Sequence, residues 1–173
     1  IKIQLGNGLF ATISERDAPI VLKRKWIARP TGGGKTYIVS TCAKHVSMHR
    51  EILGFPDGDV DHKNGNTFEN TRRNLRVATP SQNGANSKKK HLNGLATSNY
   101  KGVSWDQDRK SWRVRIKVNY KEKFIGRFKT QEQAARAYNC AARASFGEFA
   151  LVNDLSLAQP NANPGILSSP QQP

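Results

Sequence analysis

The sequence predicts an α+β protein made of two small modules, and three observations carry that expectation. Around Val60–Asn83, two short apolar runs are separated by a turn rich in Asn, Gly and Thr and lead into a helix start, which reads as strand, loop, strand, helix. Further on, Trp112, Val114, Ile116 and Val118 alternate with Arg113, Arg115 and Lys117, the period-two signature of a strand with one apolar and one cationic face. Thr130 and Gln133 then stand in capping-box relation before an alanine-rich run of helical period. A hydrophobic content of 36% over 173 residues is low for one large core, which also favours small modules. The expected division is 1–94, 95–155 and a polar tail, 156–173.

In chain order, residues 1–13 read as a hairpin, with Ile3 and Leu5 leading into a Gly6-Asn7-Gly8 turn and Leu9, Ala11 and Ile13 returning. Asp17–Trp26 suggests a short helix. Thr31-Gly32-Gly33-Gly34-Lys35-Thr36 resembles a phosphate loop but fails as one. Arg29 stands where that motif needs glycine, and Tyr37-Ile38-Val39 continues as a strand, so the segment is read as a hairpin tip. Lys44–Leu53 is read as a helix with Val46, His49 and Leu53 on one face and Gly54 as its stop. His49 fits a second catalytic or metal-binding histidine or a buried, hydrogen-bonded one, and the apolar company it keeps favours the latter.

In the Val60–Asn83 unit, Asp61 and His62 end the first strand, Asn74 begins the second, and Thr79-Pro80-x-Gln82 opens the helix that carries Asn83. A carboxylate, an imidazole and an amide oxygen brought to one side suit hydrolysis assisted by one hard cation. Asp61-His62-x-Asn64-Gly65-Asn66, followed by Asn74-Leu75-Arg76 and then Asn83, resembles the HNH motif of phage homing endonucleases. The resemblance implies a ββα-metal core over about residues 58–90. It implies that His62 is the general base, that Asp61 and Asn83 hold Mg²⁺ or Mn²⁺, and that Asn74 braces the hairpin and the histidine. Asn66, Arg76 and Asn86 join His49 as candidate supporting residues.

Lys88, Lys89 and Lys90 are candidate backbone-phosphate contacts, with a solvated linker as the alternative, and residues 91–98 read as a flexible joint. Beyond it, Tyr100–Trp105, Ser111–Val118 and Glu122–Phe128 read as three strands, covered on their apolar face by the helix that follows Thr130. Tyr100-Lys101-Gly102-Val103, Trp112-x-x-x-Ile116, Ile125-Gly126-x-Phe128, Ala134-Ala135-x-Ala137-Tyr138 and a closing Asn153 resemble the AP2 domain of plant transcription factors, also found fused to phage HNH nucleases. That resemblance implies a three-stranded antiparallel sheet packed on one helix and laid in the DNA major groove. Lys101, Arg113, Arg115, Lys117, Lys123 and Arg127 are the candidate DNA-binding side chains. Lys101 and Ser104 stand where plant domains favour arginine, and Arg115 where they favour glutamate, so plant target sequences do not carry over.

The charge agrees with these readings. The net charge is +15, with 16 basic and 7 acidic residues in 1–94 and 12 and 6 in 95–173, so both modules suit a polyanion, and double-stranded DNA is the expected partner. No amphipathic basic helix suited to a membrane surface is found, no apolar run approaches the ~20 residues of a spanning helix, and no signal peptide is read. Cys42 and Cys140 fall in different modules and supply neither a disulfide framework nor a four-ligand zinc site, so the expected setting is the reducing cytoplasm of a host cell. The function expected is a site-directed, strand-nicking DNA endonuclease acting as a monomer, with a dimer or two successive nicks needed for double-strand cleavage. A catalytically inactive DNA-binding regulator is the alternative.

Overall fold

The computed structural model describes residues 1–32, 34–88 and 97–156. An N-terminal region of mixed strands and short helices precedes a three-stranded antiparallel sheet packed on a long helix. The chain divides into two compact units, Ile1–Asn86 and Ser87–Pro173. Lys89, Lys90, most of the expected joint and nearly all of the expected tail lie outside the described residues.

In the first unit, β1 (Lys2–Gln4) and β2 (Phe10–Ile13) form the N-terminal hairpin. A single 3-10 turn leads into α1 (Ala18–Val21). Trp26 does not close that helix, as the sequence suggested, but begins β3 (Trp26–Pro30), with its indole N–H donating to the Val21 carbonyl at 2.7 Å. β3 pairs antiparallel with β4 (Thr36–Ser40) across the glycine-rich tip. The next helix, α2 (Met48–Ile52), is shorter than the expected Lys44–Leu53. Ser47 is bridged to Val39, and the Val46 N–H and C=O are taken by Ser40, so the sheet claims residues that helical periodicity alone assigned to the helix.

β5 (Asp59–His62) pairs antiparallel with β7 (Leu75–Ala78), and β6 (Glu69–Asn70), in the intervening loop, pairs parallel with β2. α3 (Pro80–Ala85) starts with the capping box read from sequence. The Thr79 hydroxyl accepts from the Gln82 N–H, and the Gln82 side chain accepts from the Thr79 N–H. Leu5, Ala11, Ile13, Val21, Trp26, Ile38, Met48, Ile52, Val60 and Leu75 form one apolar core shared by these elements. Arg50 fixes the loop ahead of β5, donating to the carbonyls of Pro56 (2.6 Å) and Gly58 (2.9 Å).

In the second unit, β8 (Val103–Asp106), β9 (Ser111–Val118) and β10 (Lys121–Phe128) form an antiparallel meander with β9 central. Asn119 and Tyr120, at φ 48° and 65°, make the two-residue β9–β10 turn of the type that matches strand twist. α4 (Gln131–Phe146) buries Ala134, Ala135, Tyr138, Ala142 and Phe146, and the sheet buries Val103, Trp112, Val114 and Ile116. Only half of the second expected capping box forms: the Thr130 hydroxyl accepts from the Gln133 N–H.

Two features close this unit. The Asn153 side chain accepts from the Lys101 N–H (2.6 Å) and donates to the Lys101 carbonyl (3.1 Å), while the buried Asn139 exchanges two hydrogen bonds with the Asn153 backbone. Gly102 sits at φ +74°, where a Cβ would lie 2.1 Å from the Tyr138 ring and 2.7 Å from the Arg115 carbonyl. Both the backbone conformation and the contact therefore require glycine. Gly102→Ala should cost about 2–5 kcal/mol, combining overpacking with a left-handed conformation. Denaturant unfolding followed by tryptophan fluorescence measures it, and a loss below about 1 kcal/mol would show that ring and carbonyl can move aside.

Candidate active site

The β5–β7 register sets the site. Asp61 lies directly opposite Arg76, and His62 opposite Leu75. Cross-strand partners share a face, so Arg76 meets the Asp61 carboxylate, and its Nε and Nη2 each lie 2.9 Å from Oδ2. Asn86, at the C-terminal end of α3, donates its amide N–H groups to both Asp61 oxygens (3.0 and 2.9 Å) and to the His62 carbonyl (2.8 Å). Asp61 and His62 are both buried.

Asn70, absent from the sequence-derived set, holds His62. It is fully buried on β6, where Ile13 of β2 is its register partner. Its Nδ2 donates to the Thr67 carbonyl at 3.1 Å, which leaves Oδ1 facing His62 Nε2 at 3.2 Å. An amide oxygen can only accept, so Nε2 carries the proton and the lone pair is on Nδ1. Burial pushes the His62 pKa down. The Asn70 hydrogen bond and the Asp61 charge oppose that shift, and Lys35 adds to it.

His49 packs edge-on against His62 with ring centroids 5.2 Å apart, and Tyr37 lies 5.4 Å from His49. His49 is buried as expected, but its contacts are ring contacts, and among the described residues its imidazole makes no hydrogen bond. Burial first, then the His62 and Arg50 charges, lowers its pKa to about 4.

Asn74 is buried where the long loop closes. Its Oδ1 accepts from the Asn64 N–H (3.1 Å), its Nδ2 donates to the Glu69 carbonyl (2.8 Å), and its carbonyl accepts from the Lys63 N–H. Asn66 shapes the turn, accepting from the Phe68 N–H. Asn83 donates to Asp59 Oδ2 at 3.0 Å, and its hydrogen-bond partner is thus Asp59 rather than Asp61. Asn83, Asp59, His49, Tyr37, Arg29 and Arg50 line one cleft of about 620 Å³.

On the sheet of the second unit, Arg113, Arg115 and Lys117 alternate with the buried residues of β9, and the register places Ser104, Glu122, Phe124 and Arg127 on their face. Lys123 is exposed but pairs with Ile116 and so starts from the other side of the sheet, because a strand's alternate residues point to opposite faces. Phe124, which the sequence reading passed over, occupies the cationic face with its ring 55% exposed and Arg127 stacked 5.0 Å above it. A register irregularity between Phe124 and Gly126 breaks simple alternation there. Arg115 pairs with Glu122 and Arg127 with Asp106, whereas Arg113 Nε is buried with no hydrogen-bond partner among the described residues. Lys101 is half-buried, with its ammonium donating to the Ser87 carbonyl and burial lowering its pKa to about 8. Lys88 is exposed. Among the described residues no helix is long and apolar enough to cross a membrane.

No family model matches the chain. It is 35% identical over 157 residues to an uncharacterized HNH endonuclease, L560, of Acanthamoeba polyphaga mimivirus, across 87% of this chain and 78% of that protein. It is also 33% identical over 81 residues to Protein 3.8 of Escherichia phage T7, across 46% of this chain and 64% of that one. The chain belongs to the HNH endonuclease family.

The histidine pair makes the first unit acid-sensitive. The folded pKa of His49 lies below its unfolded value, so the unfolded chain binds the proton first, and stability is lost as pH falls from about 6.5 towards 4. At ~1.4 kcal/mol per unit, the full shift corresponds to about 3 kcal/mol. Denaturant unfolding across this range should show that loss, and His49→Phe should flatten most of it. An unchanged slope in the variant would place the acid sensitivity elsewhere.

Proposed function

We propose that this protein is a metal-dependent DNA endonuclease of the homing type, in which the first unit hydrolyses a phosphodiester and the AP2-like sheet grips the duplex. The observation that carries the catalytic half is the state of His62: Nε2 is committed to Asn70, Nδ1 has no hydrogen-bond partner among the described residues, and burial favours the neutral ring. An imidazole so arranged can accept a proton near neutral pH.

The donor set suits a hard cation. Asp61 offers a carboxylate, and Asn83 an amide oxygen without a donor among the described residues. The described residues hold no group of three or more His, Cys, Asp or Glu suited to a metal. Mg²⁺, which keeps several waters and takes one or two protein carboxylates plus phosphate oxygens, does not require one. When bound, such an ion supplies positive charge against the charge developing on the phosphate and on the leaving 3′-oxygen.

The protein's own groups do the rest. His62 Nδ1 takes a proton from water as the oxygen attacks phosphorus in line with the 3′-oxygen. Asn70 holds the ring and accepts the Nε2–H bond that strengthens as the imidazole becomes cationic. Arg76 and Asn86 fix the Asp61 carboxylate. One site per chain cuts one strand, so double-strand cleavage takes a second copy or two successive nicks.

On the sheet, Arg113 and Lys117 form no ion pair among the described residues, although the Arg113 charge acts on Asp106, whereas Arg115 and Arg127 must exchange Glu122 and Asp106 for DNA. Phe124 adds an apolar surface at groove depth, suited to a thymine methyl group.

The test is nicking of supercoiled plasmids carrying random inserts, in Mg²⁺ or Mn²⁺. EDTA should stop it, and His62→Ala should slow it by ~10²–10⁴-fold while leaving DNA affinity within a few-fold. Cleavage by that variant at near wild-type rate would remove His62 from the mechanism.

A second measurement separates grip from chemistry. Lys117→Ala should reduce the salt slope of log K by about 0.9, as one lost phosphate contact does. Arg113→Ala or Arg115→Ala should cost about 1–3 kcal/mol at one base pair of the target and relax selection there. Slopes and selectivity unchanged in all three would show that this face does not meet DNA.

A further inference from the structure

We propose that Asp59 is the positioning residue for the metal ligand Asn83: its carboxylate captures the amide nitrogen, so that the amide oxygen is turned towards the cation. The inference rests on the function proposed above and concerns a residue to which no role has been given.

A primary amide can present either end to a cation, and only the oxygen end ligates. Asn83 Nδ2 lies 3.0 Å from Asp59 Oδ2. An ionised carboxylate accepts hydrogen bonds and donates none, so the Asp59 contact selects one of the two amide orientations. Oδ1, on the other side of the same planar group, then has no donor among the described residues, and Asn83 lines the cleft together with Asp59 and His49. A partnerless acceptor in the cleft that Asp59 also lines is a ligand held ready.

The backbone explains why position 59 does this. Asp59 and Asp61 are two apart on β5 and so lie on one face of the strand. Their register partners are Ala78 and Arg76, respectively. Arg76 and Asn86 occupy the Asp61 carboxylate, whereas opposite Asp59 stands a small methyl side chain that leaves the carboxylate to reach α3. The C-terminal half of α3 is thus tied to β5 by parallel devices, Asn83 to Asp59 and Asn86 to Asp61. Partners of metal ligands that fix ligand orientation typically matter 10–100-fold for metal affinity.

The experiment titrates Mn²⁺ into the full-length protein without DNA, by calorimetry or by the loss of free-ion electron paramagnetic resonance signal, and measures nicking against Mg²⁺ concentration in parallel. Asp59→Ala should weaken Mn²⁺ binding by about 10–100-fold and shift the Mg²⁺ requirement by a similar factor, with nicking at saturating Mg²⁺ within a few-fold of wild type. Asp59→Asn, which keeps an oxygen able to accept from Asn83, should restore binding to within about 5-fold of wild type. Unchanged Mn²⁺ affinity in Asp59→Ala overturns the inference. Equal losses in Asp59→Ala and Asp59→Asn also overturn it, because charge or direct ligation by Asp59 would then be the cause. If the wild type neither takes up Mn²⁺ nor nicks DNA, the proposed function itself fails, and this inference with it.

Discussion

The candidate site depends on one buried amide. Asn74 is bonded to Asn64 at one end of the loop between β5 and β7 and to Glu69 five residues before itself, and Lys63 is bonded back to its carbonyl. Without those bonds the twelve residues from Lys63 to Asn74 would be a free excursion between paired strands. With them the loop folds back, Glu69 and Asn70 reach β2, and Asn70 is delivered to His62 from below. Two buried amide side chains, Asn70 and Asn74, thus do what a longer sheet would do with backbone groups, and no apolar side chain could replace them without leaving buried donors or acceptors unmet.

The two units treat charge differently. At the site, the Asp61 carboxylate is paired inside the fold with Arg76 and an amide. On the sheet, ion pairs lie at the surface, and cations that belong to acids coexist with cations that do not. Exposed pairs of this kind contribute little to stability. They also lower the net attraction of the face for any polyanion, because a paired arginine contributes only the difference between its two partners.

The local chemistry was legible in the sequence, and the tertiary chemistry was not. The Thr79 capping box, the strand ending at His62 and the alternation along β9 each depend on neighbours a few residues apart, and each is found where spacing placed it. The α2 start was not legible, because Val46 and Ser47 are held by Ser40 and Val39 across a sheet edge. Asn70 and Asp59 carry no local signal, since their partners His62 and Asn83 become neighbours only on folding. Lys123 and Phe124 changed places because the irregularity in β10 resets the count between faces.

The bonds between Asn153 and Lys101 have a consequence for how such a chain can arise. They bring the chain just ahead of β8 to within one side chain of the segment that follows α4, so the sheet-and-helix fold begins and closes at one place. A unit whose entrance and exit coincide imposes almost no geometry on whatever is spliced before or after it, and it needs no rearrangement of a host fold to be accepted. It can be traded between genes as a cartridge.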